Sequence, residues 1–133
     1  LKRIKNKILI RKKNYHFLQE KIKNCKNFKI LNTKNEKGFQ SSYYALTIML
    51  KKESKINRNK LIVELKDKGV QTSIYYPHPV PLLNYYRKKY NYKKKDFPNS
   101  NIIAYHSISF PVAEHVGKKD LTLIASRIIK LIG

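Results

Sequence analysis

The sequence predicts an α+β fold in which helices cover one small antiparallel or mixed sheet, with a long helix at the N-terminus. Three or four short strand patterns are interrupted by helical patterns, and 133 residues suit a single domain. A hydrophobic fraction of 41% is enough for a packed core, which excludes an intrinsically disordered chain despite the high charge. Neither a glycine-rich dinucleotide fingerprint nor an internal repeat is present.

The first 24 residues carry apolar side chains at helical spacing, with lysine and arginine on the other faces. The apolar positions are Leu1, Ile4, Ile8, Tyr15, Leu18 and Ile22. Cys25 continues this stripe, so we expect it to be a buried small side chain rather than a catalytic thiol. Because the chain begins at Leu1, inside this helix, we also expect the protein to be truncated.

The middle of the chain reads as strand, helix and strand. Residues 28–31 are a short apolar piece, and the polar residues 32–37 predict a loop ending at Gly38. Alternation over 42–50 predicts a central strand with one face formed by Tyr44, Leu46, Ile48 and Leu50. Asn57 and Gly69 are suited to cap the two ends of the helix that follows. Residues 70–76 alternate again and predict a strand that Pro77 ends.

The last third of the chain opens with three prolines in residues 77–81, which predict a stiff, extended connection. A helix should follow, carrying Leu82, Leu83, Tyr86 and Tyr90 at helical spacing. Pro98 suits the first turn of the next helix. A short strand over 107–110 should stop at Pro111, and an apolar stripe over 121–132 predicts the final helix, behind Gly117 and Asp120.

The formal charge of +22 raises nucleic acid, anionic membranes and polyphosphates as partners. Twenty-five of the 30 basic residues are lysine, however, whereas specific phosphate and base recognition uses the arginine fork. Lysine, isoleucine and asparagine make up 53 residues, which indicates an AT-rich coding bias. Nucleic acid is therefore not the expected partner. One alternative is a small basic nucleic-acid-binding module using lysines in 2–13 and 88–95, with tyrosines stacking on bases. Another is a structural, dimer-supporting piece without activity.

Cysteine usage and hydropathy favour a cytoplasmic protein. Cys25 is the single cysteine, so neither a disulfide nor a cysteine-based metal site can form within the chain. No apolar run approaches the roughly 20 residues that cross a bilayer, and no secretory signal opens the sequence. We therefore expect no membrane partner.

Three segments carry a resemblance to a known family. GVQTSIYYPHPVPLLNYY (69–86) gives a Gly-Val turn, a strand pattern, a tyrosine pair and a proline-rich segment, and SISFPVAEHVGKKDL (107–121) ends the pattern. This order resembles the C-terminal end of the DegT/DnrJ/StrS family of sugar aminotransferases. The opening LKRIKNKILIRKKNYHFLQEKIK (1–23) resembles the helix that runs from the family's large domain into its small domain.

The resemblance implies the small domain of a type I aminotransferase fold, with residues 1–26 as the linking helix and 27–133 as the domain. It also implies pyridoxal 5'-phosphate as cofactor, bound by a lysine that would lie upstream of Leu1. The chain alone should then be inactive, without catalytic or cofactor-binding residues. The parent enzyme, as a homodimer, would transfer an amino group from glutamate to a nucleotide-linked keto sugar, for an amino sugar of a polysaccharide or glycan.

The expected substrate contacts are Tyr75, Tyr76 and His78. Tyr76 matches the tyrosine of the family's His-Tyr pair and Tyr75 replaces its histidine, while His78 lies between two prolines. A tyrosine hydroxyl suits sugar hydroxyls or a phosphate, although both rings could instead pack beside the prolines, and His78 could simply be solvated.

Two further pairs of side chains are weaker candidates. Arg87 and Lys88 could help to hold a nucleotide diphosphate or form a solvated face. His106 and His115 have too few acidic or cysteine neighbours along the chain for a metal site, so none is expected.

Overall fold

The computed structural model describes residues 3–31 and 38–133. In these stretches five α-helices accompany one three-stranded sheet, which confirms the α+β prediction. The helices are α1 (Ile4–Ile22), α2 (Arg58–Asp67), α3 (Asn84–Tyr90), α4 (Pro98–His106) and α5 (Lys118–Ile132), and the strands are β1 (Phe28–Ile30), β2 (Ala45–Leu50) and β3 (Ser107–Pro111). No helix of the described part is both long enough and apolar enough to span a bilayer. The loop predicted over 32–37 lies outside the described residues.

The sheet has the order β1-β2-β3, and both of its strand pairs are antiparallel. The central position predicted for β2 is therefore confirmed. Leu46 lies opposite Phe110 in the register, and Ile48 lies opposite Ile108. All four of these side chains are fully buried, so the two longer strands supply the middle of the core.

Tyr44 does not belong to the buried face of β2, contrary to the sequence prediction. Its side chain is 63% exposed, and the ladder begins one residue later, at Ala45. The reason lies at Tyr43, which has a φ of +48° and is itself buried. A left-handed residue breaks the two-residue alternation of side chains, so the pattern cannot be extrapolated back through it.

The strand predicted over 70–76 is also wrong, since only one bridge forms there. Ser73 exchanges two backbone hydrogen bonds with Ser109, each of 3.0 Å. If the ladder continued from Ser109 towards the end of β3, Pro111 would have to donate the next backbone hydrogen bond. Proline has no N–H to donate. The segment therefore touches β3 at one point and then leaves the sheet.

Both predicted caps of α2 are confirmed. The Asn57 side-chain oxygen accepts a hydrogen bond of 2.9 Å from the backbone N–H of Lys60. Gly69 has a φ of +78°, a value that glycine adopts without steric cost, and Val70 then donates to the Leu65 carbonyl at 2.8 Å. The C-terminal end of α2 thus directs the chain towards the Ser73 bridge and the proline-rich segment.

Helix α1 packs against α5 and the sheet mainly over its second half, and Ile8 in its first half is partly buried against the core. Its buried residues are Tyr15, Leu18 and Ile22, whereas Ile4 is 48% exposed, so the predicted apolar stripe is not buried at its start. Cys25 is partly buried against the core, and burial raises the pKa of its thiol. A raised pKa disfavours the reactive thiolate, in agreement with a packing role.

Polar side chains tie the exposed half of α1 to the loop between β3 and α5. Lys7 Nζ lies 3.0 Å from Glu114 Oε1, and Arg11 Nε donates to Glu114 Oε2 at 3.1 Å. A backbone hydrogen bond at Glu114, helped by Lys7 and Arg11 and opposed by partial burial, lowers the pKa of this carboxyl to about 2. The ionised carboxylate is therefore the form that the fold favours.

The Glu114 contacts should make stability depend on pH on the acid side. The folded pKa lies below the unfolded value of about 4.3, so the contribution is present above that value and is lost as the pH falls towards about 2. We expect Glu114→Gln to unfold at a lower urea concentration than the wild type at pH 6. This difference between the two urea midpoints should disappear between about pH 4 and pH 2. A gap that stays constant over this range would contradict the assignment.

Candidate functional site

The proline-rich segment forms one wall of the candidate site, and α3, α4 and the turn between them form the rest. Pro79 is fully buried and anchors the segment, while its carbonyl accepts from Leu82 N–H at 2.9 Å to start a short 3₁₀ turn, Val80–Leu82. The turn leads directly into α3. His78, immediately before the anchor, is exposed at the junction between two cavities.

The first of these, which we call the cationic cavity, has a volume of about 570 Å³. It is lined by His78, Leu82, Leu83, Asn84, Arg87, Lys94 and Tyr105. The His78 and Tyr105 rings meet edge to face at 6.3 Å, and Lys94 Nζ lies 5.4 Å from the centre of the Tyr105 ring. Arg87 and Lys94 supply two positive charges and no carboxylate lines the wall, so the cavity suits an anion.

The second, which we call the apolar groove, has a volume of about 340 Å³ and adjoins the first at His78. It is lined by Tyr76, His78, Pro79, Val80, Pro81, Ser100, Ile103 and Ala104. Tyr76 is 63% exposed there. A tyrosine beside an open groove offers a ring for stacking on a sugar and a hydroxyl for hydrogen bonding. The structure thus brings Tyr76 and His78 together.

Tyr75 faces a different cavity, of about 310 Å³, and is separated from the other two predicted site residues. Its ring lies 5.9 Å from that of Tyr44, and Arg11 Cζ is 5.8 Å from the centre of the Tyr44 ring. Burial, followed by the neighbouring Tyr44, raises the pKa of Tyr75. The hydroxyl therefore stays protonated and can act as a hydrogen-bond donor.

Sequence reasoning missed Lys94 and Tyr105 as parts of the cationic cavity. Arg87 was a candidate and does line it, but its predicted partner Lys88 instead lines a neighbouring cavity, with Lys93. The run of lysines over 93–95 signalled positive charge in this region, without indicating which side chain faces inward. Tyr105 lies on α4, and no local pattern connects it with His78.

The described residues do not by themselves enclose a lysine suited to pyridoxal phosphate. The lysine that binds this cofactor must sit in an enclosed environment that activates its amine. The buried polar or charged side chains of the described part are Arg58, Asn101 and Ser109, and none is a lysine. In the same stretches no three His, Cys, Asp or Glu side chains gather where a metal could bind.

Comparisons with known proteins identify the type of unit. DesV of S. venezuelae, solved in complex with a ketimine intermediate, superposes with a TM-score of 0.85 and 15% identity over 98% of this chain and 33% of its own. Helicobacter pylori PseC, an aminotransferase involved in pseudoaminic acid biosynthesis, superposes with a TM-score of 0.84 and 16% identity. The match covers 99% of this chain and 34% of PseC. MJ1066 of Methanocaldococcus jannaschii, an uncharacterized protein, is 36% identical over 78 residues, 59% of this chain and 20% of that protein.

The sheet with its flanking helices is thus a unit of the aminotransferase fold, spanning about a third of the length of the matched structures. The chain belongs to the DegT/DnrJ/EryC1/StrS aminotransferase family, whose model matches residues 1–129. This confirms the family resemblance seen in the sequence.

Proposed function

We propose that this chain forms the substrate-binding wall of a pyridoxal-phosphate-dependent aminotransferase acting on a nucleotide-linked keto sugar. In this proposal glutamate donates the amino group, and the product is an amino sugar for a polysaccharide or glycan. Residues 1–26 link to the cofactor-binding domain, 27–133 form the small domain, and the enzyme acts in the cytoplasm as a homodimer. Family membership supports the reaction class.

The observation that carries the substrate proposal is the junction of two chemically different cavities at His78. A nucleotide sugar has the same division, since a diphosphate with negative charge adjoins a sugar ring with hydroxyl groups. Arg87 and Lys94 match the diphosphate, and Tyr76 matches the sugar. His78, which lines both cavities, would contact the substrate where its two parts meet.

Chemically, these residues bind and orient the substrate rather than react with it. A guanidinium offers two parallel N–H groups to phosphate oxygens, and an ammonium adds a compact charge. Holding the diphosphate fixes the position of the sugar carbonyl relative to the rest of the enzyme, which lowers the entropy lost on reaching the reactive geometry. No step involving the cofactor is assigned to these residues.

The diphosphate contacts can be tested with substitutions in the cationic cavity. In the protein at its full natural length, we expect Arg87→Ala and Lys94→Ala each to raise KM for the nucleotide keto sugar about 10- to 100-fold, because each removes a charge-assisted hydrogen bond. The value of kcat should change much less. Steady-state kinetics of amino transfer from glutamate measure both constants.

Two controls separate the phosphate role from general damage. Lys12→Ala removes an exposed charge from α1 and should leave KM unchanged. The same keto sugar without its nucleotide should react equally poorly with wild type and with both cavity variants. If the variants lose as much activity on the free sugar as on the nucleotide sugar, Arg87 and Lys94 do not bind the diphosphate.

A further inference from the structure

A row of aromatic rings runs along α3 and into the turns that follow it. We call it the aromatic ladder, and it consists of Tyr85, Tyr86, Tyr90, Tyr92 and Phe97. Successive ring centres are 5.2, 6.4, 5.3 and 4.9 Å apart. The Tyr86 and Tyr90 planes differ by 13° and the Tyr90 and Tyr92 planes by 26°, so the middle three rings are stacked.

Three of the five ladder rings are exposed, Tyr92 and Phe97 are partly buried, and none of the five belongs to the hydrophobic core. Tyr85 is 64% exposed, Tyr86 37% and Tyr90 50%, and α3 has no buried residue. Aromatic rings bring most stabilisation when they are buried, so several exposed rings in contact with one another mark an interaction surface. None of the five lines the cationic cavity or the apolar groove.

Positive charge surrounds these rings. Residues 84–97 contain six basic side chains and one acidic side chain, Asp96, whose carboxylate accepts from the Lys93 backbone N–H at 2.8 Å. Within 3–31 and 38–133 no carboxylate forms an ion pair with any of the six. Lys89 Nζ lies 5.5 Å from the Tyr85 ring centre and 5.4 Å from that of Tyr90. One of the six cations, Lys89, thus lies against two rings of the ladder.

We propose that the aromatic ladder and its lysines bind single-stranded nucleic acid without sequence preference. A single strand presents phosphates and unpaired bases in alternation, and proteins that bind it combine cationic grooves with stacking rings. An acidic polypeptide would match the charge but leave the rings without stacking partners. The lysine-rich composition explains the number of cations, but not the row of five neighbouring rings with Lys89 against two of them.

The test compares two polyanions that differ only in their bases. The protein at its full natural length is titrated against a fluorescein-labelled oligothymidylate of about 20 nucleotides and against an abasic strand of equal length, with fluorescence anisotropy as readout. The oligothymidylate should bind more tightly than the abasic strand, because only the former can stack. Its log K should also fall with log salt, with a slope of roughly −4 for about six contacted phosphates.

Ladder variants give a second, independent readout. Tyr86→Ala combined with Tyr90→Ala should weaken oligothymidylate binding by about 5- to 100-fold and leave abasic binding unchanged, whereas Phe at both positions should retain the affinity. Phe39→Ala is the matched control, since it removes a 75% exposed ring outside the ladder. Lys12→Ala with Lys13→Ala controls for charge lost elsewhere.

Four results would overturn the proposal. The first is absence of oligothymidylate binding at about 100 mM salt, and the second is equal affinity for the two strands. The third is an alanine double variant that binds oligothymidylate like the wild type. Displacement of the oligothymidylate by polyglutamate at an equal concentration of charge would likewise assign the surface to acidic polypeptides. The strand comparison needs no variant, so the outcome does not depend on how any substitution folds.

Discussion

Replacing Phe110 by alanine should lower the free energy of unfolding by about 3–5 kcal/mol. This side chain is the largest of the fully buried ones, and it lies in β3 directly opposite Leu46 of β2. Truncation removes the transfer free energy of the ring and leaves a cavity at the centre of the sheet, where both strands are hydrogen-bonded and cannot move together. Urea unfolding followed by circular dichroism measures the change.

Phe39→Ala is the matched control for this substitution. The same ring is removed, but from a position that is 75% exposed. The free energy of unfolding should therefore change by no more than about 0.5 kcal/mol. If Phe110→Ala were as stable as Phe39→Ala, the arrangement of β2 and β3 described above would be incorrect.

Replacing Asn14 by aspartate should be the most damaging polar change. The Asn14 side-chain nitrogen lies 3.3 Å from the Val112 carbonyl oxygen, 3.0 Å from that of Ala113 and 3.2 Å from that of Val116. A carboxylate there would face only acceptors. We therefore expect Asn14→Asp to lower the free energy of unfolding by about 2–3 kcal/mol at pH 7, and Asn14→Ala to lower it by about 1–2 kcal/mol. Urea unfolding at pH 7 and at pH 4 measures both.

The aspartate variant also has a characteristic pH dependence. Contact with carbonyl oxygens should raise the pKa of the introduced carboxyl, so protonation at acid pH restores a donor and recovers part of the loss. Asn6→Ala, an exposed position on α1, should be neutral or slightly stabilising because alanine is the better helix former. If the aspartate variant were as stable as the wild type at pH 7, the Asn14 side chain would not be stabilising the loop between β3 and α5.

Local signals in the sequence were sufficient for most of the fold. Asn57 and Gly69 set the ends of α2 through contacts within a few residues, which sequence patterns describe well. Alternation likewise indicated that β2 is central. The errors arose where one residue changed the backbone direction or removed a donor, as Tyr43 does before β2 and Pro111 does at the end of β3.

The candidate site could be anticipated only in part. Tyr76 and His78 are two residues apart on a stiff segment, so their proximity is a local property. Lys94 reaches the cationic cavity from the turn between α3 and α4, and Tyr105 reaches it from α4, so only the folded chain brings them to His78. The sequence groups Tyr75 with Tyr76, but successive residues of an extended segment point to opposite sides, which explains the position of Tyr75 beside Tyr44.

The most direct test of the proposed function follows nitrogen from glutamate into a sugar. The protein at its full natural length is incubated with pyridoxal phosphate, ¹⁵N-labelled glutamate and a nucleotide-linked keto sugar, and the products are analysed by mass spectrometry. The proposal predicts a nucleotide amino sugar carrying ¹⁵N, together with one 2-oxoglutarate for each amino group transferred. Absence of ¹⁵N from every nucleotide keto sugar tried, in a preparation that binds the cofactor, would contradict it.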